Sequence, residues 1–235
     1  MKIVAIIGTH SRESNTKFFI EQIAKHLKGK GNIDIYQLDE NVKIMPCQGC
    51  CNCLISGICR LNDDMNILME KILEAQLVIF ASPVYMGNIS GTMKLFLDRF
   101  LPWIHIFRLA GKRALIISTA AHYDLSACNY LSKIALHLGM EIIDEILILT
   151  YKFHNHTYIP NIETYIEKII IEIEEYKSCY FYSSTPTQEI IFKNLKKTYG
   201  KTNEYTKLFH EYKYWRQHKL DICESYKNYI QSFYP

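Results

Sequence analysis

The chain has 235 residues, 49% of them hydrophobic and 22% charged, with a formal net charge of +3. That length can bury a full core and suits one domain with an appendage, in an ordinary soluble composition. The mild charge argues against a nucleic-acid partner, and no apolar run approaches the length of a bilayer span.

Lys2–Ile7 is a short apolar run ending at Gly8, as expected of a buried parallel strand. It is too short for a secretory leader. Residues 15–28 carry Phe18, Phe19, Ile23 and Leu27 at helical spacing. Ile33–Leu38 alternates and reads as a second strand. A cysteine-rich loop follows. Asp63–Glu74 has a helical stripe of Met65, Leu68, Met69, Ile72 and Leu73, with Asn62 or Asp63 as its cap. Leu77–Ala81 is a third strand, expected to stop at Ser82-Pro83. Gly91–Phe100 is helical, Ala114–Ser118 a fourth strand, Ser126–Leu138 a helix, Glu141–Leu149 a fifth strand and Ile162–Tyr176 a closing helix.

Strands alternating with helices of this length predict a parallel sheet covered on both faces. Five strands suit the flavodoxin-like doubly wound α/β fold, order 2-1-3-4-5, with its ligand at the carboxyl ends of the strands. The G-x-G-x-x-G fingerprint of the dinucleotide-binding alternative is absent. Residues 1–178 are expected to form this domain. From Ser183 tyrosine, lysine and asparagine rise, and 183–235 is expected to be a helical C-terminal extension, with helices over Thr187–Lys197 and Glu204–Tyr226 separated by Gly200. It would cover the site, embrace a second subunit or simply pack on its own subunit.

Five of the eight cysteines fall between Cys47 and Cys59. Without Cys51 they read C-x2-C-x2-C-x5-C, through Cys47, Cys50, Cys53 and Cys59. Three closely spaced thiolates can wrap one inorganic centre and a fourth can close it, as in a [4Fe–4S] site. Thiols that oxidise reversibly, or a buried turn of small apolar side chains, are the alternatives. Zinc is a poor fit, because its usual pair-plus-pair spacing is lacking. Cys51 is expected to point away, and Cys128, Cys179 and Cys223 to be packing residues or free thiols. Clustered cysteines without a secretory leader point to a cytoplasmic protein.

Three loops at strand ends carry the remaining polar chemistry. Gly8-Thr-His-Ser-Arg-Glu-Ser-Asn-Thr16 packs the hydroxyls of Thr9, Ser11, Ser14 and Thr16, the Asn15 amide and Arg12 beside a helix start, a site for one phosphate. A polar loop with one N-cap is the plainer reading. Ser82-Pro83-Val84-Tyr85-Met86-Gly87-Asn88-Ile89-Ser90-Gly91 could lay Tyr85 and Met86 along a flat aromatic ligand, with backbone N–H groups from Met86 to Asn88 meeting its polar edge. An ordinary strand-to-helix turn is the alternative. In Ser118-Thr-Ala-Ala-His-Tyr-Asp124, His122 could edge the same site, although histidines there are more often structural.

The first loop, the cysteine block ending near Asp63-Asp64-Met65, and Ser82-Pro83-Val84-Tyr85 followed by Gly91-Thr-Met-Lys94 and Asp98-Arg99 together resemble the NADPH-dependent FMN reductase family, and within it the iron–sulfur flavoproteins. The likeness covers roughly residues 1–178. It implies a flavodoxin-like fold, FMN held without a covalent link, and a homodimer or homotetramer. It puts Thr9, Ser11, Arg12, Ser14, Asn15 and Thr16 around the FMN phosphate, and Pro83, Val84, Tyr85, Met86, Gly87 and Asn88 along the isoalloxazine. Thr119, Ala120 and His122 would edge the ring. Where the family often has a glycine pair, this chain has Ala120 and Ala121. Lys94, Asp98 and Arg99 read as structural or subunit contacts, and Tyr214-Trp215 is similar to an aromatic pair in the tails of some relatives.

The resemblance implies an oxidoreductase in which NAD(P)H or a ferredoxin-like donor reduces FMN. Electrons would pass to a small molecule or a protein acceptor, singly if a [4Fe–4S] cluster is present. No side chain is required as an acid or base, so no catalytic residue is named. The alternative is a flavodoxin-like electron carrier without turnover of its own.

Overall fold

In a computed structural model, residues 1–28, 31–153, 156–178, 183–200 and 206–232 are described. Cys179, expected to be a packing residue or free thiol, lies outside them. Strands β1 (Lys2–Ile7), β2 (Asn32–Gln37), β3 (Leu77–Tyr85), β5 (Arg113–Ala120) and β6 (Glu141–Leu149) pair in parallel in the order β2-β1-β3-β5-β6. The two-residue β4 (Asn88–Ile89) pairs antiparallel with the end of β3. Leaving that hairpin aside, the order is the expected doubly wound one.

Strand side chains alternate between the two faces. Ile3, Ala5 and Ile7 join one core with Phe19, Ile20 and Ile23 of α1 (Asn15–His26) and Ile166, Ile169 and Ile173 of α7 (Ile162–Ser178). Val4 and Ile6 join the other, with Leu68 of α3 (Met65–Glu74), Met93 and Phe96 of α4 (Gly91–Asp98), and Leu131 and Ala135 of α6 (Ser126–His137). Each fully buried isoleucine contributes about 1.5–3 kcal/mol by leaving water, which fixes the register and so brings the three loops to one edge.

Three local features depart from the sequence expectation. β3 does not stop at Ser82-Pro83: Pro83 sits opposite Thr119 in the ladder, and the strand runs on to Tyr85. The cysteine loop contains a short helix, α2 (Asn52–Ser56), and α5 (Leu101–Ile104) follows α4 separately. A small hairpin, β7 (Tyr151–Phe153) with β8 (His156–Tyr158), follows β6.

The extension begins with α8 (Pro186–Tyr199), opened by a capping box between Thr185 and Gln188 and ended at Gly200. The single helix expected over Glu204–Tyr226 is instead a 3-10 turn (Thr206–Leu208), α9 (His210–Gln217) and α10 (Tyr226–Gln231). Lys219 takes a left-handed φ of 60° and Ser225 caps α10, which breaks any continuous helix. Phe192, Trp215, Tyr226 and Tyr229 pack with Ile106 and Phe107 into a third core. The extension therefore docks on its own subunit. No helix among the described residues is long and apolar enough to cross a membrane.

Candidate functional site

A cleft of about 330 Å³ opens at the carboxyl ends of β1, β3, β5 and β6. The first loop supplies Ser11, Ser14, Asn15 and Thr16, the second Pro83, Val84 and Tyr85, and the third Thr119 and Ala120. All nine were expected there. Glu13, Ala121 and Thr150 complete the lining.

The floor is made of fixed hydroxyls. Thr16 Oγ1 and Thr119 Oγ1 lie 2.7 Å apart and are buried, tying the first loop to the third. Ser14 caps α1, its Oγ accepting from the Lys17 N–H. The remaining first-turn N–H groups have no partner within the helix, and no acidic residue stands in that turn. The positive end of the α1 dipole thus faces a hydroxyl-lined hollow, an arrangement that favours an anion.

The other expected residues sit outside the lining. Thr9 is buried beneath the loop, and its Oγ1 accepts from the Ser11 N–H at 3.3 Å. Arg12 is exposed and its Nε donates to Glu40 at 3.0 Å, which raises the guanidinium pKa and lowers that of Glu40. Met86 and Gly87, with φ of 50° and 68°, form the two-residue turn between β3 and β4. Met86 is fully exposed, Tyr85 half so, and Asn88 accepts the Ile89 N–H on its own side chain. His122 is exposed in the third loop. Tyr85 lines the cleft, and Met86 in the adjoining turn and Tyr123 in the third loop are exposed apolar side chains.

The cysteine loop lies beside the end of α4. Cys47, Cys50 and Cys51 are exposed, Cys59 is half-buried and Cys53 is buried. Burial pushes the Cys53 thiol up to about 11, and Cys59, Cys47 and Cys50 add to that shift, so these four thiols share one electrostatic neighbourhood. Left-handed backbone at Gly49, Cys51 and Gly57 coils the loop. The buried Arg99 donates to the Cys59 sulfur at 3.4 Å, to the Met45 carbonyl at 2.8 Å, and to both oxygens of Asp63. A donor set of four thiols beside a fixed cation suits an anionic iron–sulfur group in its chemistry. Among the described residues no three His, Cys, Asp or Glu side chains converge on a single-ion position.

The family model for NADPH-dependent FMN reductase matches residues 1–154. The chain belongs to this family. It is 37% identical over 113 residues to an iron-sulfur flavoprotein of Archaeoglobus fulgidus, covering 48% of this chain and 51% of that one. A Clostridioides difficile iron-sulfur flavoprotein is 28% identical over 153 residues, 62% of this chain and 66% of the relative. The chain spans about half the length of the first curated relatives it matches. In fold it is similar to the apo form of an NADH:FMN oxidoreductase, with a TM-score of 0.56, 22% identity and coverage of 80% and 92% of the two chains. An archaeal flavodoxin gives 0.51 at 16% identity, over 74% and 97%.

Several residues that build this FMN reductase family site were not singled out from the sequence. Gln37, at the carboxyl end of β2, donates to the carbonyls of Thr9 (3.1 Å) and Ser11 (2.8 Å) and so holds the first loop. Ser90 donates to the Gly8 carbonyl and caps α4, accepting from Met93 N, while its own N–H goes to Ser82 Oγ at 3.0 Å. It thereby joins the first and second loops. Thr150 follows β6 at the same edge. A glutamine ending the second strand and a threonine just after the last strand of the main sheet were signals in the sequence, but only the strand order shows that they meet the loops.

Proposed function

We propose that the chain is an FMN-dependent oxidoreductase of the iron–sulfur flavoprotein kind. It would use NAD(P)H or a ferredoxin-like donor and pass electrons to a small acceptor or a redox partner. The observation that carries this reading is the Thr16–Thr119 hydroxyl pair at the helix start of α1, in a cleft where three loops of an FMN reductase family member converge. The names of the relatives support the cysteine part.

FMN, when bound, supplies hydride and electron transfer. The chain's residues hold and aim it. Ser11, Ser14, Asn15 and Thr16 receive the phosphate, with the α1 dipole and N–H groups bearing its charge. Arg12, now paired with Glu40, would add a cation to the phosphate if it left that carboxylate. Pro83, Val84 and Tyr85 support the ring from the β3 end, with Met86, Gly87 and Asn88 at the turn. Thr119, Ala120 and His122 edge it. Cys47, Cys50, Cys53 and Cys59 would hold a [4Fe–4S] cluster, and Arg99, which donates to the Cys59 sulfur, would offset its negative charge. A homodimer or homotetramer in the cytoplasm is part of the proposal.

The test is anaerobic addition of NADPH or NADH to the FMN-loaded protein. Bleaching of the flavin is expected. The exposure of the large side chains Tyr85, Met86 and Tyr123 on the second and third loops favours a second reading, a carrier that docks on partners. Bleaching with dithionite but with neither nucleotide would favour that carrier.

A further inference from the structure

The extension lies beyond residue 154, where the family match ends. It builds a second cleft, remote in sequence from the loops above. Helix α9 packs on α2, and between them opens a hollow of about 490 Å³, a size that holds a small organic molecule. The backbone of Ser56, Gly57 and Ile58, inside the Cys53–Cys59 segment, forms one wall. The fit is close. Gly57 has a φ of 78°, and a Cβ there would stand 2.6 Å from Nδ1 of His210.

The other wall is aromatic and cationic. Trp103 and Tyr214 show only small parts of their rings. His218 stacks on Tyr214 at 3.9 Å, and the Arg108 guanidinium lies 5.7 Å from the same ring centroid. Arg108 also reaches the Tyr214 hydroxyl at 3.5 Å. Among the described residues no carboxylate lines the cleft, and none pairs with Arg108. The nearby Glu211 is buried and directed to His105, at 3.4 Å. Burial lowers the His210 and His218 pKa values, Arg108 lowers both further, and Lys213 adds to the shift at His210. Glu211 opposes the shift at His210 without overcoming it.

We infer that the cleft between the cysteine loop and α9 binds a small organic anion, its apolar body along Ile58 and the exposed edges of Trp103 and Tyr214 and its acidic group on Arg108. The apolar body follows from this lining, and the charge from an arginine without a carboxylate. The extension thus supplies a ligand site against the loop that carries the cysteines. The binding claim uses none of the flavin-site assignments.

The test titrates the full chain, with FMN added in excess, with 2-naphthoate and separately with its methyl ester. Imidazole proton shifts of His210 and His218 and the fluorescence of Trp103 are followed. Flavin uptake is read independently from absorbance, so failure of the flavin reading is seen apart from failure of this one. Naphthoate is expected to bind about tenfold or more tightly than the ester, the scale of one charge-assisted contact. Arg108→Gln should abolish that difference without changing flavin uptake. Ile58→Trp, at the exposed mouth, should weaken both compounds, and decides the matter if Arg108→Gln fails to fold. Equal affinities for acid and ester, or unmoved histidine signals on saturation, would overturn the inference.

Discussion

The guanidinium of Arg99 donates to the sulfur of Cys59 at 3.4 Å while gripping both oxygens of Asp63, with both charged side chains essentially inaccessible to water. The residue that ends α4 thus anchors the cysteine loop at the sulfur, at the Met45 carbonyl and at the loop's closing aspartate. Arg99→Met leaves Asp63 buried without its cation. A loss of about 3–5 kcal/mol is expected, checked by urea unfolding. Arg99→Lys should recover part of it, since an ammonium cannot match the forked geometry.

The same pair sets an acid limit. Burial pushes the Asp63 carboxyl up, but hydrogen bonds from Arg99 and from the N–H groups of Met45 and Met65 outweigh it and hold it below the ordinary 3.8. A depressed folded pKa contributes stability that is complete above the unfolded value and is lost as pH falls through the folded one. Wild type should therefore lose Tm more steeply than Asp63→Asn as pH drops below about 4. Parallel Tm curves from neutral pH to pH 3 would contradict this.

The Thr16–Thr119 contact supports a double-mutant test. Either threonine changed to valine leaves the other hydroxyl buried without its partner, costing about 1–3 kcal/mol. The double variant should lose less than the sum of the two. FMN affinity, by fluorescence titration, should fall in each variant.

Gly8 passes close to α4, and an added Cβ would lie 2.5 Å from Met93 Cβ. Gly8→Ala should cost about 1–3 kcal/mol by overpacking. Because the first loop would have to shift, flavin affinity should fall with stability.

Met86 holds a left-handed conformation that disfavours its side chain. Met86→Asn should stabilise the turn by roughly 0.5–1 kcal/mol, since Asn tolerates that conformation. If Met86 also covers the flavin, as proposed, the same variant should bind FMN more weakly, and thermal melts with and without FMN separate the two effects.

Much of this molecule was legible before its fold. Apolar runs bounded by Gly8 and by Ser82-Pro83 marked the strands, and the helical stripe of Phe19 and Ile23 marked α1, because the 2.0 and 3.6 periods write themselves directly into a buried face. The Pro83 stop misled, because a proline at a ladder end lacks only one donor and can still sit opposite Thr119. The three loops were legible because each follows a strand of a parallel sheet, whose carboxyl ends lie at one edge. Gln37, Ser90 and Arg99 were harder. Their roles depend on partners 26, 82 and 40 residues away, which only the strand order brings close. The extension was least legible, since its aromatic core follows no single period.

An iron–sulfur flavoprotein of this kind carries both FMN and a cysteine-held cluster on one chain. Anaerobic purification followed by iron, sulfide, flavin and visible-absorbance analysis tests it most directly. FMN and about four iron per chain are expected, with iron lost and FMN kept in Cys50→Ser. A chain that retains no flavin after FMN is added, or no iron under strictly anaerobic handling, would contradict it.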